Sequence, residues 1–306
     1  MPAPRDRDHA PPGDARRAEA APVKDPDAAP EVDDAVPDAA AARPAAPDDG
    51  GAHFGEQGGR LSYASYLRLP DLLAQQVTVA EPVAHDERLF ITVHQVYELW
   101  FAQCLHELGA ARDAMLAGDA ATSRRLLVRV HVVERVLLGT VEVLETMTPQ
   151  DFLAFRNALA PASGFQSVQY RELEFLSGAR DPTYLTRMAQ ASPAERAALQ
   201  RRLDEPSLWE AFLALLSARG LPVEADDDRR ASLLAVARER ADLWDLAEAL
   251  LEHDALSARW RSRHVDMVER QIGTRSGTGG SSGAPYLRSR LALRYFPELW
   301  DLRSEL

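Results

Sequence analysis

Apolar residues recur every three to four positions through most of the chain. From Leu126 onward, Leu127, Val130, Val133, Leu137, Val141 and Leu144 fall on one stripe, as a helix facing a core requires. The same reading predicts helices over 86–116, 150–159, 164–177, 193–218, 227–253 and 256–272, with Gly118, Pro149, Pro161, Pro182 and Gly220 as breakers between them. Alternating runs of strand type are short, and no internal repeat is present. The expected fold class is all-α.

The pattern is missing before residue 55. Met1 to Gly50 hold 10 Pro, 15 Ala, 12 acidic and 6 basic residues and no aromatic. Such a segment cannot bury enough apolar area to offset its ordering entropy. The expected organisation is therefore a disordered acidic tail over 1–55 and a single all-α domain over 56–306. The chain carries 35 Lys+Arg against 47 Asp+Glu, a net charge of −12. An acidic protein repels phosphate, so nucleic acid is not an expected partner. Cys104 is the only cysteine, which excludes an internal disulfide, thiolate zinc sites and the CxxCH haem attachment. No apolar run approaches the roughly 18 residues of a membrane span, and the N-terminus has no apolar signal core. The expectation is a soluble, cytoplasmic protein in a reducing compartment, with no membrane partner.

Three stretches carry candidate chemistry. In FITVHQVYELWF, Phe90, His94, Tyr97 and Phe101 share a helix face, placing an imidazole among aromatic rings. That stretch alone favours a core histidine bonded to a carbonyl or carboxylate. In DFLAFRNALAPASGFQS, Phe152 and Arg156 are i and i+4, so a ring and a guanidinium project together. The pair can hold a carboxylate bidentately under an aromatic cover, and an ordinary surface salt bridge explains Arg156 as well. In the third stretch, His264 and Met267 precede a glycine-rich loop containing Thr278. The loop has no GK[ST] and no preceding strand, so it is read as a lid or a connector, and His264 as an axial iron ligand or a helix-face histidine. No histidine after the tail completes Glu-x-x-His, and HExxH is absent, so the familiar helical metal centres are excluded.

FITVHQVYELWF, PASGFQSVQYRELEF and RWRSRHVDMVERQIGTRSGTGGSSGAPYLR, in this order, resemble the tryptophan 2,3-dioxygenases, over roughly Arg60 to Leu306. The resemblance implies an all-α, homotetrameric enzyme with one haem b per subunit. It would insert both atoms of O2 across the indole C2–C3 bond of L-tryptophan to give N-formylkynurenine, the first step of tryptophan catabolism by the kynurenine pathway. It assigns His264 as the proximal haem ligand and Ser163 to the haem edge. His94 becomes the distal histidine that accepts the indole N–H, Arg156 the carboxylate anchor, Thr278 the loop contact to the amino-acid end, and Phe90 and Phe152 the indole pocket. LSYASYL resembles a segment in which Tyr63, Tyr66 and Leu67 complete a neighbouring subunit's site. Ala102 and Gln271 depart from the family's usual lysine and methionine. A related dioxygenase acting on a substituted tryptophan or another indole, and a non-catalytic haem sensor, are the competing readings.

Overall fold

The apolar stripes fold into three long helices laid side by side. The computed structural model describes residues 62–188 and 190–306, so the expectation of a disordered tail over 1–55 lies outside the described residues. A short pair, α1 (Tyr63–Tyr66) and α2 (Leu69–Leu73), leads into α3 (His85–Leu116) and α4 (Ala120–Glu145). There follow α5 (Pro149–Arg156), α6 (Val168–Ser177), α7 (Tyr184–Arg187), α8 (Pro193–Asp204), α9 (Leu208–Ala218) and α10 (Asp226–Glu239). The chain then runs through α11 (Ala241–Ile272) and ends with α12 (Ala284–Ser289) and α13 (Pro297–Asp301). Among the described residues there is no strand, and the fold is all-α.

Cross-helix bonds fix the directions. Tyr97 Oη donates to Leu137 O at 2.9 Å and Arg129 pairs with Glu107 at 2.7 Å, so α3 and α4 run antiparallel, as their short connection requires. His131 Nε2 bonds Ala249 O at 2.9 Å and Arg263 pairs with Glu145 at 2.6 Å, so α4 and α11 run parallel. The predicted stripe of α4, with Leu127 and Val130 fully buried, fills the seam against Leu246 and Leu250 of α11. No helix of the described residues is long and apolar enough to cross a membrane.

Two predicted boundaries are corrected. The expected helix over 193–218 is two helices, because Pro206 disfavours a helical Glu205 and Ser207 starts α9 by accepting from Glu210 N while Glu210 accepts from Ser207 N. The expected break near 254 is absent, and the chain leaves helical geometry at Arg240 instead. Asp254 reads as a polar interruption of an apolar face. It is buried inside α11, where its Oδ2 accepts from the Tyr295 and Phe296 amides and from Trp300 Nε1, binding the C-terminal segment to the long helix. The predicted 150–159 and 164–177 helices are α5 and α6 flanked by 3-10 turns at Asn157–Leu159 and Gly164–Gln166.

Candidate active site

Helices α3, α5, α6 and α11 and the loop between α11 and α12 enclose a cavity of about 270 Å³. It brings Phe90, His94, Phe152, Arg156, Ser163, His264 and Thr278 together from five separate segments.

His94 sits one turn after Phe90 on α3, and its Nδ1 lies 2.8 Å from Phe90 O. A carbonyl only accepts, so Nδ1 carries the proton and Nε2 keeps its lone pair. Burial depresses the His94 pKa below its usual value, against smaller opposing effects of the Phe90 carbonyl and Glu98. The imidazole is thus a neutral acceptor. The expected core histidine is half right: one nitrogen is satisfied by backbone, while the ring also faces the cavity. Around it Phe90, Phe152 and Phe155 form a cluster, with Phe90 and Phe152 stacked at 5.6 Å.

Thr148 and Asp151 cap the start of α5, and the helix delivers Phe152 and Arg156 to the cavity one turn apart. Arg156 forms no salt bridge among the described residues, so the surface-pair explanation does not hold. Its Nη2 donates to Ser276 O in the glycine-rich loop. The rest of its fork remains free for an anion. Thr278 Oγ1 donates to Ala162 O at 2.5 Å, which spends its proton and leaves oxygen lone pairs for a cationic donor. The loop is therefore docked over the cavity through both residues. Its glycines are sterically required where it packs closest: a Cβ at Gly279 would stand 2.5 Å from Ser163 Cβ, and Gly283, at φ +70°, would meet Arg275 O at 2.4 Å. Ser163 caps the Gly164–Gln166 turn by accepting from Phe165 N at 3.3 Å.

On the α11 wall, His264 makes no hydrogen bond through either ring nitrogen among the described residues. Burial pushes its pKa down to about 4, with His94 as the second cause. Protein surrounds the ring, and the accessible surface it retains belongs to the cavity it lines. Trp260 stacks on it at 5.2 Å with a 4° interplanar angle, and Tyr97 and Tyr170 pack on that indole. An imidazole kept neutral, held by stacking and left unbonded is fit to be a metal ligand. Among the described residues no three His, Cys, Asp or Glu gather as a metal-ion cage. Leu144, Met147, Met267 and Val268 line the cavity beside His264, an apolar surround that a macrocyclic metal complex bound through this histidine would fit.

Tyr63, Tyr66 and Leu67 are exposed on and beside α1 and do not line this cavity. The sequence reading gave no role to Trp260, Tyr170 or Arg171. Arg171 is buried, paired with Glu174 and stacked 4.4 Å from the Tyr184 ring centroid. The aromatic content of QYRELEF was the one signal for this wall, and it did not reveal which rings meet. Gln271, the departure from methionine, donates to Met147 O at 2.7 Å and lines the same wall.

A family model described as tryptophan 2,3-dioxygenase matches residues 47–219 and 229–306. A protein of Nocardioides sp. named tryptophan 2,3-dioxygenase is 61% identical over 260 residues, covering 83% of this chain and 97% of that protein. Proteins of the same name from Herpetosiphon aurantiacus and Myxococcus xanthus are 42% and 40% identical, over 80% and 81% of this chain and 98% and 90% of their own lengths. With a match over nearly all of the helical region and a cavity that unites the expected residues, the chain belongs to the tryptophan 2,3-dioxygenase family.

Proposed function

We infer that this chain is a haem-dependent dioxygenase that converts L-tryptophan and O2 to N-formylkynurenine. The observation that carries the reading is the pairing, across one cavity, of an unbonded neutral His264 with an acceptor His94 and an unpaired Arg156. A haem b held by His264 would supply the oxygen chemistry when bound, and each remaining task belongs to the protein. Arg156 receives the substrate carboxylate in its free fork. Thr278 accepts from the ammonium, its own proton being engaged with Ala162 O. Phe90 and Phe152 cover the indole, and His94 Nε2 accepts the indole N–H and so fixes the orientation of the ring in the cavity. The docked loop keeps water from the reacting atoms. Ser163, beneath Gly279, lines the same cavity and would border a haem held there.

The dioxygenase domain spans 56–306 after a tail over 1–55, and it works in the cytoplasm as a homotetramer. The exposure of Tyr63, Tyr66 and Leu67, away from their own chain's cavity, supports a role in a neighbouring subunit's site. The unpaired guanidinium favours an amino acid over an indole without a carboxylate, and a full amino-acid pocket has no use in a haem sensor.

The test is an anaerobic titration of the reduced, haem-loaded protein with L-tryptophan, followed by air and assay of N-formylkynurenine. A haem spectrum perturbed by tryptophan and then product formation is the expected result. A haem protein indifferent to tryptophan overturns the substrate assignment, and failure to take up haem overturns the cofactor.

A further inference from the structure

His264 lacks what usually fixes a ligand imidazole. Rotation of the ring about its Cβ–Cγ bond is soft, and a metal-binding histidine is ordinarily held by donating its second ring N–H to a carboxylate, a carbonyl or water. Neither nitrogen of His264 has a protein partner among the described residues. What does meet the ring is the indole of Trp260, one turn earlier on α11, stacked at 5.2 Å with the two planes 4° apart.

That indole is itself held by three rings from other helices. Tyr97 and Phe101 of α3 meet it in T-shaped contacts at 5.9 Å and 6.4 Å, and Tyr170 of α6 packs on it at 5.2 Å. Two of the three are anchored in turn: the Tyr97 hydroxyl donates to Leu137 O of α4 at 2.9 Å, and the Arg171 guanidinium lies 5.0 Å from the Tyr170 ring centroid. Three helices therefore fix the plane of the indole, and the indole is the one group that can pass that plane on to the imidazole.

We propose that Trp260 is the positioning residue of His264, setting the plane of the imidazole by stacking in place of the usual hydrogen bond. An imidazole that has given electron density to a metal is more strongly attracted to an electron-rich indole face than a free one. The stack is thus tighter in the loaded protein and slows loss of the cofactor. This rests on the haem reading above and deepens it, because it names what holds the ligand.

The test uses the full haem-loaded chain and two readouts besides activity: the rate of haem transfer to excess apomyoglobin, and the electron paramagnetic resonance spectrum of the ferric cyanide complex, which reports the imidazole plane. Trp260→Met, which fills the space without a ring, is expected to release haem about tenfold faster, as the loss of one aromatic pair allows, and to broaden the spectrum as the imidazole takes several orientations. Trp260→Phe keeps a ring and is expected to release haem only about threefold faster, with a narrow spectrum. Trp209→Met removes a half-buried indole that does not line the cavity and is expected to change neither readout, with helical circular dichroism as the control for folding. Should Trp260→Met not fold, Trp260→Phe against Trp209→Phe carries the test. Wild-type release and spectrum in the folded Trp260 variants, or equal effects at Trp209, overturn the positioning role and leave haem binding standing, whereas a wild type that takes up no haem overturns both.

Discussion

Helix α11 carries two inward-facing histidines three turns apart, the buried His253 and the half-buried His264, treated in opposite ways. His253 is bonded at both nitrogens, Nδ1 to Glu134 Oε1 at 2.8 Å and Nε2 to Ser177 Oγ at 2.8 Å, and Ser257 donates to the same carboxylate oxygen. It ties α4, α6 and α11 together deep in the core. His264 is bonded at neither nitrogen, is positioned only by the Trp260 ring, and opens on the cavity. Where a buried imidazole is structural, the fold satisfies it. At His264 the fold leaves the imidazole without a hydrogen-bond partner and accepts the cost, as the proposed ligand role requires.

Substitution at the two positions separates the roles most sharply. His264→Ala is expected to lose nearly all bound haem and with it all activity, while urea unfolding of the haem-free protein is little changed. His253→Ala is expected to bind haem stoichiometrically and to lose about 3 kcal/mol of stability, because Ser177 loses its partner in the core and Glu134 keeps only Ser257. Stoichiometric haem in folded His264→Ala protein would sink the ligand assignment.

The unpaired Arg156 extends the same contrast to the substrate side. Arg156→Ala is expected to weaken L-tryptophan binding by about 2–5 kcal/mol, the range for leaving a buried charge unpaired. Tryptamine, which lacks the carboxylate, should bind the wild type and the variant alike, and a large loss for both ligands would mean that Arg156 acts by holding the loop through Ser276. A smaller effect is expected for His94→Ala, about 1–2 kcal/mol in kcat/KM, because one hydrogen bond to the indole is lost. The penalty should vanish with 1-methyltryptophan. Complete inactivity with normal haem and tryptophan binding would assign His94 a proton-transfer role instead.

The pH dependence is the finest test. Burial lowers the folded-state pKa of His94 and takes that of His264 to about 4, against an ordinary value of 6.5. Between those limits the unfolded chain binds more protons than the folded one, so stability rises with pH there. The haem-free protein is expected to keep this contribution above pH 6.5 and to lose it as the pH falls toward 4, which urea midpoints at several pH values would reveal. Tryptophan affinity of the holoprotein should stay level down to pH 6.5, since protonation of Nε2 would replace the acceptor with a donor. An affinity that falls on the alkaline side of 6.5 would contradict the neutral His94.

Much of the site was legible because its residues lie at i and i+4 within single helices. Phe90 with His94, and Phe152 with Arg156, share faces by helical geometry alone. The break at Arg240 was not legible, because neither glycine nor proline marks it, and Asp254 offered a false one. A carboxylate on an apolar face looks like an interruption until its partners, more than forty residues away, are in view. Trp260 stacks on His264 as an i, i+4 pair of α11 and was open to the same reasoning, whereas the Tyr97 and Tyr170 rings that pack on its indole come from distant helices.

From sequence alone come the all-α class, the long amphipathic helices and the residues of the cavity, because helical periodicity and capping are local and three unusual strings carry the family. Tertiary structure alone decided which nitrogen of His94 is free, that Arg156 has no carboxylate partner, and that His253 and not His264 is satisfied. The His94 bond to Phe90 O is one turn away and depends on the rotamer the ring takes among its packed neighbours, whereas the other two depend on what packs opposite a side chain from a distant part of the chain.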